Sequence, residues 1–325
     1  MREIDSQSIV AYLRDRGRIP ESRAATAEPL GWGVSNIVIR VAVEGAAPFV
    51  IKQSREQLRT KALWVSRLDR IWQEREALEL LARVLDPGDV PRVLFSEPDD
   101  YLFAMSHAAP ESTVWKEDLL AGRADPEVAR RAGALLGRMH SRLRDHPGLS
   151  GRLAETTVFD ELRVGPFYRA VAKALPETAS AIDALIVAMR NPPDLTFVHA
   201  DFTPKNILVH REGLTVVDFE TAHAGDPAFD IGLFLAHLSL KAFRTSPRDQ
   251  AIFGLVEPFW QGYHTEVGPG DADLSERSTR HAAACMLARI DGTSPVDYLD
   301  ESVRGEVREI ARNILLRPSM RISEV

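Results

Sequence analysis

The stretch Phe197-Val-His-Ala-Asp-Phe-Thr-Pro-Lys-Asn-Ile-Leu-Val209, followed by Leu214-Thr-Val-Val-Asp-Phe-Glu220, decides the fold. It sets Asp201 and Asn206 in one loop after an apolar run and delivers Asp218 at the end of a second apolar run. Two carboxylates and an amide carried by neighbouring strand ends can hold Mg²⁺ and orient a hydroxyl against a nucleotide γ-phosphate. A lone Asp, Asn or Asp-Phe pair carries no such meaning. The ordered combination does.

Each residue of the two segments takes an expected part. Asp201 is the base or orienting carboxylate for an acceptor hydroxyl, a role typically worth about 10²–10⁴-fold in rate. Asn206 presents an amide oxygen to Mg²⁺, which prefers hard oxygen ligands. Lys205, four residues after Asp201, can reach a γ-phosphate; an exposed loop lysine is the competing reading. His199 either holds the loop by hydrogen bonds or acts as a ligand. The first is favoured, since no second histidine stands at metal spacing. Asp218 is the principal metal carboxylate. Glu220, two residues on, is either a second metal ligand or a solvent-facing side chain. Asp226-Pro-Ala-Phe-Asp230 opens the next helix, with Asp230 capping or bracing that helix and the loop.

Working outward, Phe49-Val-Ile-Lys52 puts an ammonium on an apolar strand, where it can neutralise nucleotide phosphates if a carboxylate fixes it. Glu76, in the following helix, is the expected partner, with Glu74 and Glu79 as competitors. Gly31-Trp-Gly-Val-Ser-Asn36 precedes the Lys52 hairpin. There Gly31 and Gly33 let the backbone approach phosphates, and Ser35 and Asn36 offer donors. Met105 and His107, where a strand gives way to the small-residue connector Ser106–Pro110, complete the nucleotide-binding set.

The N-terminal part reads as a short helix (Ile4–Arg16), a hairpin (Ile37–Val43 with Pro48–Gln53), a helix (Leu63–Leu85) stopped by Asp86-Pro-Gly, and two strands (Val90–Phe95, Tyr101–Met105). Helices then dominate: Trp115–Ala121, Pro126–Arg144, one within Phe167–Arg190, Asp230–Phe243, Arg248–Tyr263, Ser275–Ala288 and Glu301–Leu316. The expected architecture is α+β and bilobal, with a sheet-rich nucleotide-binding lobe over 1–106. A helical lobe over 107–325 holds the catalytic loop, metal site and acceptor-binding helices.

Composition restricts the alternatives. With 325 residues, 45% hydrophobic and 27% charged, the chain has the make-up of a globular enzyme of two lobes. A net charge of −7 with both signs interspersed speaks against nucleic acid and against a polybasic membrane patch. One cysteine, Cys285, allows no disulfide framework and no Cys-based zinc site within one chain. Without a signal pattern or a membrane-length apolar run, the expected location is cytoplasmic.

The spacing His-x-Asp-x-x-x-x-Asn and the strand lysine both match protein kinases, but the short step from Asp218 to Asp230 leaves no room for an activation loop. Together with Asp218-Phe-Glu220 and Gly225-Asp-Pro-Ala-Phe-Asp-Ile-Gly232, they make the chain resemble the aminoglycoside phosphotransferase/choline kinase-type small-molecule kinases. The resemblance covers roughly Pro29 to Leu316 and implies a protein-kinase-like fold. Within that group the chain is most similar to methylthioribose kinases, through Val50-Ile-Lys-Gln-Ser-Arg-Glu-Gln-Leu-Arg59 and Cys285-Met-Leu-Ala-Arg-Ile-Asp-Gly292. It departs from them in Asn206 and Phe219, where they lack the loop Asn and share an Asp-Pro-Glu motif. It also has Ala288-Arg289 where they carry paired arginines. The resemblance implies ATP and Mg²⁺ as cofactors and phosphoryl transfer to a hydroxyl of a small metabolite, sugar-like or amino-alcohol. Arg289 is then either an acceptor contact or a packing or ion-pair residue. The alternatives are methylthioribose kinase itself and a nucleotide-binding pseudokinase with a regulatory role. A monomer or homodimer is expected.

Overall fold

The computed structural model describes residues 1–31, 36–55, 66–245, 248–269 and 272–317. It opens with α1 (Ile9–Asp15), whose Ile9, Tyr12 and Leu13 are buried. The helix starts later than the periodicity suggests. Asp5 Oδ1 accepts from the backbone N–H groups of Gln7 and Ser8, making a turn instead. Ile4 is buried in the extended stretch before that turn, its N–H donating to Gln53 Oε1 at 3.0 Å.

Five antiparallel strands follow: β1 (Ala25–Pro29), β2 (Asn36–Val43), β3 (Phe49–Ser54), β4 (Val93–Glu97) and β5 (Leu102–Ser106), in the order β1-β2-β3-β5-β4. Edge strand β1 is largely exposed and lacks apolar alternation, which is why the sequence pattern does not announce it. The β2–β3 hairpin turns through Gly45 at φ +71°, a left-handed conformation that glycine adopts without steric penalty. Lys52 sits in the central strand, opposite Val38 on one side and Phe103 on the other. Helix α2 (Arg70–Leu81) packs on β3, β4 and β5. Part of the helix expected from Leu63 onward lies outside the described residues.

The second part is mainly helical. Short β6 (Thr113–Val114) leads into α3 (Trp115–Leu120) and α4 (Pro126–Arg142). Next come α5 (Thr157–Phe159), a π-helical segment Asp160–Arg169, α6 (Ala170–Ala174) and α7 (Ala179–Arg190). Leu175-Pro176 explains why the single helix expected within Phe167–Arg190 is broken into pieces. Strands β7 (Thr196–Val198), β8 (Ile207–His210), β9 (Gly213–Val216) and β10 (His223–Gly225) form two small sheets, β10-β7 and β6-β8-β9. The chain continues as α8 (Pro227–Ala242), α9 (Gln250–Phe253), α10 (Val256–Val267), α11 (Ala272–Asp291) and α12 (Glu301–Leu316). A sheet-rich N-terminal part and a helical C-terminal part make this the expected α+β, protein-kinase-like architecture.

Two helices start on the same Asp-Pro device. Asp125 Oδ1 accepts from Glu127 N at 2.8 Å, and Asp226 Oδ1 from Ala228 N at 2.9 Å, with proline at the first helical position. Helix α8 therefore begins three residues before the expected Asp230 and carries that residue in its first turn. Helix α8 is buried along almost its whole length and packs against α11 at Gly232, where a Cβ would come 2.7 Å from Ser278 O. This close approach brings the α8 side chains near those of α11.

Candidate active site

A cavity of about 500 Å³ lies between the sheet and the helical part. Leu30, Val38, Val50, Met105 and Leu208 make an apolar slot at one end, and Lys52, Asp201, Lys205, Asn206, Asp218 and Glu220 supply polar wall. His107 and Asn36 also border it. Gly31 is exposed and outside the wall, while Gly33 and Ser35 lie outside the described residues.

Lys52 Nζ stands 2.6 Å from Glu74 Oε2 and 2.6 Å from Asp218 Oδ1, with Lys52 and Glu74 buried and Asp218 partly open to the cleft. The expected partner Glu76 is thereby corrected. It faces outward, 3.4 Å from Arg152 and 3.9 Å from Arg75. The reason is helical geometry. At 100° per residue, two positions swing a side chain to nearly the opposite face. Glu74 lies three residues after buried Ile71 and four before buried Leu78, on the inward stripe itself. A carboxylate interrupting an apolar stripe was the signal available in the sequence.

Electrostatics follow from the burial. Burial pushes the Glu74 carboxyl up to about 7, against the pull of Lys52. Burial also works against the Lys52 ammonium and the Asp218 carboxylate. Asp218, Glu74 and Glu220 together raise Lys52 above its usual range, and Lys52 with Lys205 hold Asp218 below its own.

Glu220 does not face solvent. Its Oε2 accepts from Arg70 Nε at 3.0 Å and from Asn36 Nδ2 at 2.8 Å. Asn36, expected as a phosphate donor, thus bridges β2 to the segment after Asp218. Arg70, fully buried at the start of α2, also donates to the backbone oxygens of Arg55, Ser66 and Arg67. Nothing in the sequence marked Arg70, since a charged residue at a helix start usually reads as solvated.

The catalytic-loop segment is held from three sides. Asp230 accepts the backbone N–H of His199 and of Ala200, each at 2.7 Å, and His140 Nε2 lies 3.3 Å from the same carboxylate. The bracing role expected of Asp230 is the one it has, while the cap is made by Asp226. The His199 ring reaches Val217 O through Nε2 at 3.2 Å and accepts from Asp201 N at Nδ1, 3.1 Å. Its proton is therefore assigned to Nε2, and burial lowers its pKa, keeping it neutral. In this tautomer His199 ties the Asp201 loop to the residue before Asp218. Ala200 and Asp218 both adopt positive φ, +61° and +73°. Left-handed backbone at non-glycine residues on both flanks of a site is strain that the surrounding hydrogen bonds must hold.

Asp201 is fully engaged. Its Oδ1 pairs with Arg163 Nη2 at 2.9 Å, and its Oδ2 with Lys205 Nζ at 2.9 Å and Asn206 Nδ2 at 2.8 Å. Burial alone would raise its pKa, but Arg163 and Lys205 lower it, so it stays ionised. Arg163 was not anticipated from sequence. It lies in the π-helical segment, and its Nε also donates to Ala200 O at 2.6 Å. Such irregular helical turns recur at functional sites. Anchoring Asn206 through Nδ2 leaves its Oδ1 without a protein partner among the described residues. That oxygen and Asp218 Oδ2 are hard donors on one cavity wall and fit a Mg²⁺ ion, which keeps water and phosphate oxygens as its other ligands. Among the described residues no cluster of three or more His, Cys, Asp or Glu could hold a metal by itself.

Of the predicted residues, Asn36, Lys52, Met105, His107, Asp201, Lys205, Asn206, Asp218, Glu220 and Arg289 border this one cavity, and Glu76 and Gly31 do not.

A family model described as the phosphotransferase enzyme family matches residues 26–266. Methylthioribose kinase 2 of Oryza sativa subsp. japonica is 26% identical over 308 residues, covering 81% of this chain and 71% of that protein. Methylthioribose kinase of Exiguobacterium sibiricum is 25% identical over 289 residues, covering 78% and 71%. Among solved structures, macrolide 2'-phosphotransferase from Brachybacterium faecium aligns over 97% of this chain and 100% of that chain, with TM-score 0.59 and 20% identity. A choline/ethanolamine kinase family protein from Mesorhizobium loti aligns over 95% and 96%, with TM-score 0.57 and 17% identity.

Proposed function

This chain belongs to the phosphotransferase enzyme family, and from that premise we propose that it moves the γ-phosphate of ATP to a hydroxyl of a sugar-like acceptor. It is a small-molecule kinase. The observation that carries the finer reading is the convergence of Lys52, Asp201, Asn206 and Asp218 on one cavity that also has an apolar slot.

In this reading the slot between Val38, Val50, Met105 and Leu208 takes the base, and Lys52, fixed by Glu74, neutralises the phosphates next to it. Asn206 and Asp218 would hold Mg²⁺, which supplies charge neutralisation on the phosphate oxygens. Lys205, beside Asp201, meets the transferring group. Asp201 accepts a hydrogen bond from the acceptor hydroxyl and orients it. Its lowered pKa suits orientation better than early proton removal. Phosphoryl transfer through a loose transition state demands positioning and charge stabilisation more than a strong base.

The test is Asp201→Asn. Nucleotide affinity should persist while ATP-dependent phosphorylation falls by about 10²–10⁴-fold. Unchanged turnover in that variant would remove Asp201 from the mechanism, and a nucleotide binder without turnover on any acceptor would favour a regulatory module. A second reading is methylthioribose as the acceptor, favoured by the methylthioribose kinases among the relatives. Turnover of methylthioribose matching the best acceptor of a sugar and amino-alcohol panel would establish it.

A further inference from the structure

The cavity wall away from Lys52 carries positive charge that the protein leaves unbalanced. Arg289 of α11 borders the cavity there with Arg163 and Lys205, and His237 of α8, kept neutral by its burial, lines it beside them. Among the described residues, the only side-chain hydrogen bond of Arg289 runs from Nη1 to Ser294 Oγ at 3.0 Å, and its Nε is buried without a partner. No carboxylate among them lies within ion-pair distance of Arg289. Lys241, one turn along α8 from His237, is only 2% exposed. Its Nζ donates to His237 O at 3.1 Å and sits 5.7 Å from the Tyr298 ring centroid, again with no carboxylate among the described residues. The carboxylate on this side, Asp201, is shared by Arg163, Lys205 and Asn206, and it acts on Arg289 only from beyond ion-pair distance.

Buried cations without counter-charge are costly, and the same molecule shows the alternative at Lys52, which has two carboxylates. Burial, reinforced by Lys116 and Arg289, pulls Lys241 down to about 7, so near neutral pH it is only partly protonated and an arriving anion would favour its charged form. The packing of α8 on α11 at Gly232 keeps the two cation-bearing helices together. An acceptor carrying only an ammonium group would meet repulsion here and find no free carboxylate. A carboxylate or phosphate would supply the missing counter-charge, and a guanidinium suits the oxygens of either.

We propose that the acceptor carries, besides its hydroxyl, an anionic group, carboxylate or phosphate, which Arg289 binds with Lys241 behind it. The proposal rests on the phosphotransfer reading of the cavity for the word acceptor, and on the unpaired cations for the charge.

The test is titration calorimetry with three probes: inorganic phosphate, malonate and tetramethylammonium. Each is run on the free protein and again with AMP-PNP and Mg²⁺ saturating the nucleotide end. At least one anion should bind in both settings, and comparing phosphate with malonate distinguishes the two sources of charge. Arg289→Ala should weaken the anion by about tenfold or more, the loss expected for one charge-assisted hydrogen bond, and Arg289→Lys by less. Tetramethylammonium should not bind. Absence of anion binding, equal binding by Arg289→Ala, or tetramethylammonium binding as tightly as the anions would overturn the proposal. The AMP-PNP affinity of each variant reports its folding. If Arg289→Ala fails that control, Arg289→Lys and Lys241→Met decide, each expected to weaken the anion and overturning the proposal if neither does. Anion binding without nucleotide binding would sink the kinase reading alone, and nucleotide binding without anion binding would sink this one alone.

Discussion

The two ends of the cavity treat buried charge in opposite ways. At the nucleotide end, Lys52 has Glu74 and Asp218, and Glu220 has Arg70 and Asn36, every contact reaching between separate segments of the chain. At the other end Arg289 and Lys241 sit on adjacent helices, and among the described residues no carboxylate lies within ion-pair distance of either. Preorganised, internally paired charge is what a reaction step common to a whole family needs, because positioning must precede binding. Charge left without a partner is instead a site of unmet demand, and it is where a particular ligand is selected. On the proposed function, the difference would separate the part of the molecule that does chemistry from the part that chooses.

Substitutions can break this contrast. The largest stability effect is expected for Lys52→Ala, which leaves Glu74 buried, and Asp218 beside it, without their cation. Breaking a buried pair from one side costs about 3–5 kcal/mol, and denaturant unfolding should show it. A loss below about 1 kcal/mol would mean that the nucleotide end is not held by its charges.

Lys241→Met should act in the opposite direction. Folding takes this ammonium from 10.5 to about 7. Between those values the unfolded chain holds a proton that the native state has released, so stability rises with pH across the window and is lowest below it. Unfolding measured from pH 6 to 10 should show that slope in the wild type. The slope should flatten in Lys241→Met, with stability at pH 7 increased by on the order of a few kcal/mol, since one pKa unit corresponds to about 1.4 kcal/mol. A variant less stable than wild type at pH 7 would mean that Lys241 is compensated after all, and the contrast would fail.

Glu76→Gln is the smallest effect and the sharpest control on the nucleotide end. Glu76 pairs only at the surface, with Arg152 and Arg75, so stability should change by no more than about 1 kcal/mol and nucleotide affinity should not move. Glu74→Gln should lower that affinity. If the two variants exchanged these outcomes, the Lys52 pairing would have to be reassigned.

Much of the fold was legible because it rests on local signals. The β2–β3 hairpin, the strand lysine and the loop around Asp201 and Asn206 are each written within a few residues, and the Asp-Pro pairs at 125–126 and 226–227 set two helix starts. Edge strand β1 was not legible, being short and mostly exposed. The break at Leu175-Pro176 was missed because a single proline interrupts an otherwise helical composition.

By itself, the sequence determined the order of the cavity's polar parts: a lysine on a strand, a carboxylate and amide in one loop, and a carboxylate at a second strand end. Their spacing is fixed by local geometry, so linear order suffices. Only the tertiary structure decided the partners. Glu74 rather than Glu76 meets Lys52, Arg70 holds Glu220, and Arg163 holds Asp201, because a long-range ion pair depends on which helix face packs inward and which segments the core brings together. The same holds for Arg289 and Lys241. Their charges are plain in the sequence, but that they are buried without counter-charge follows only from how α8 and α11 pack.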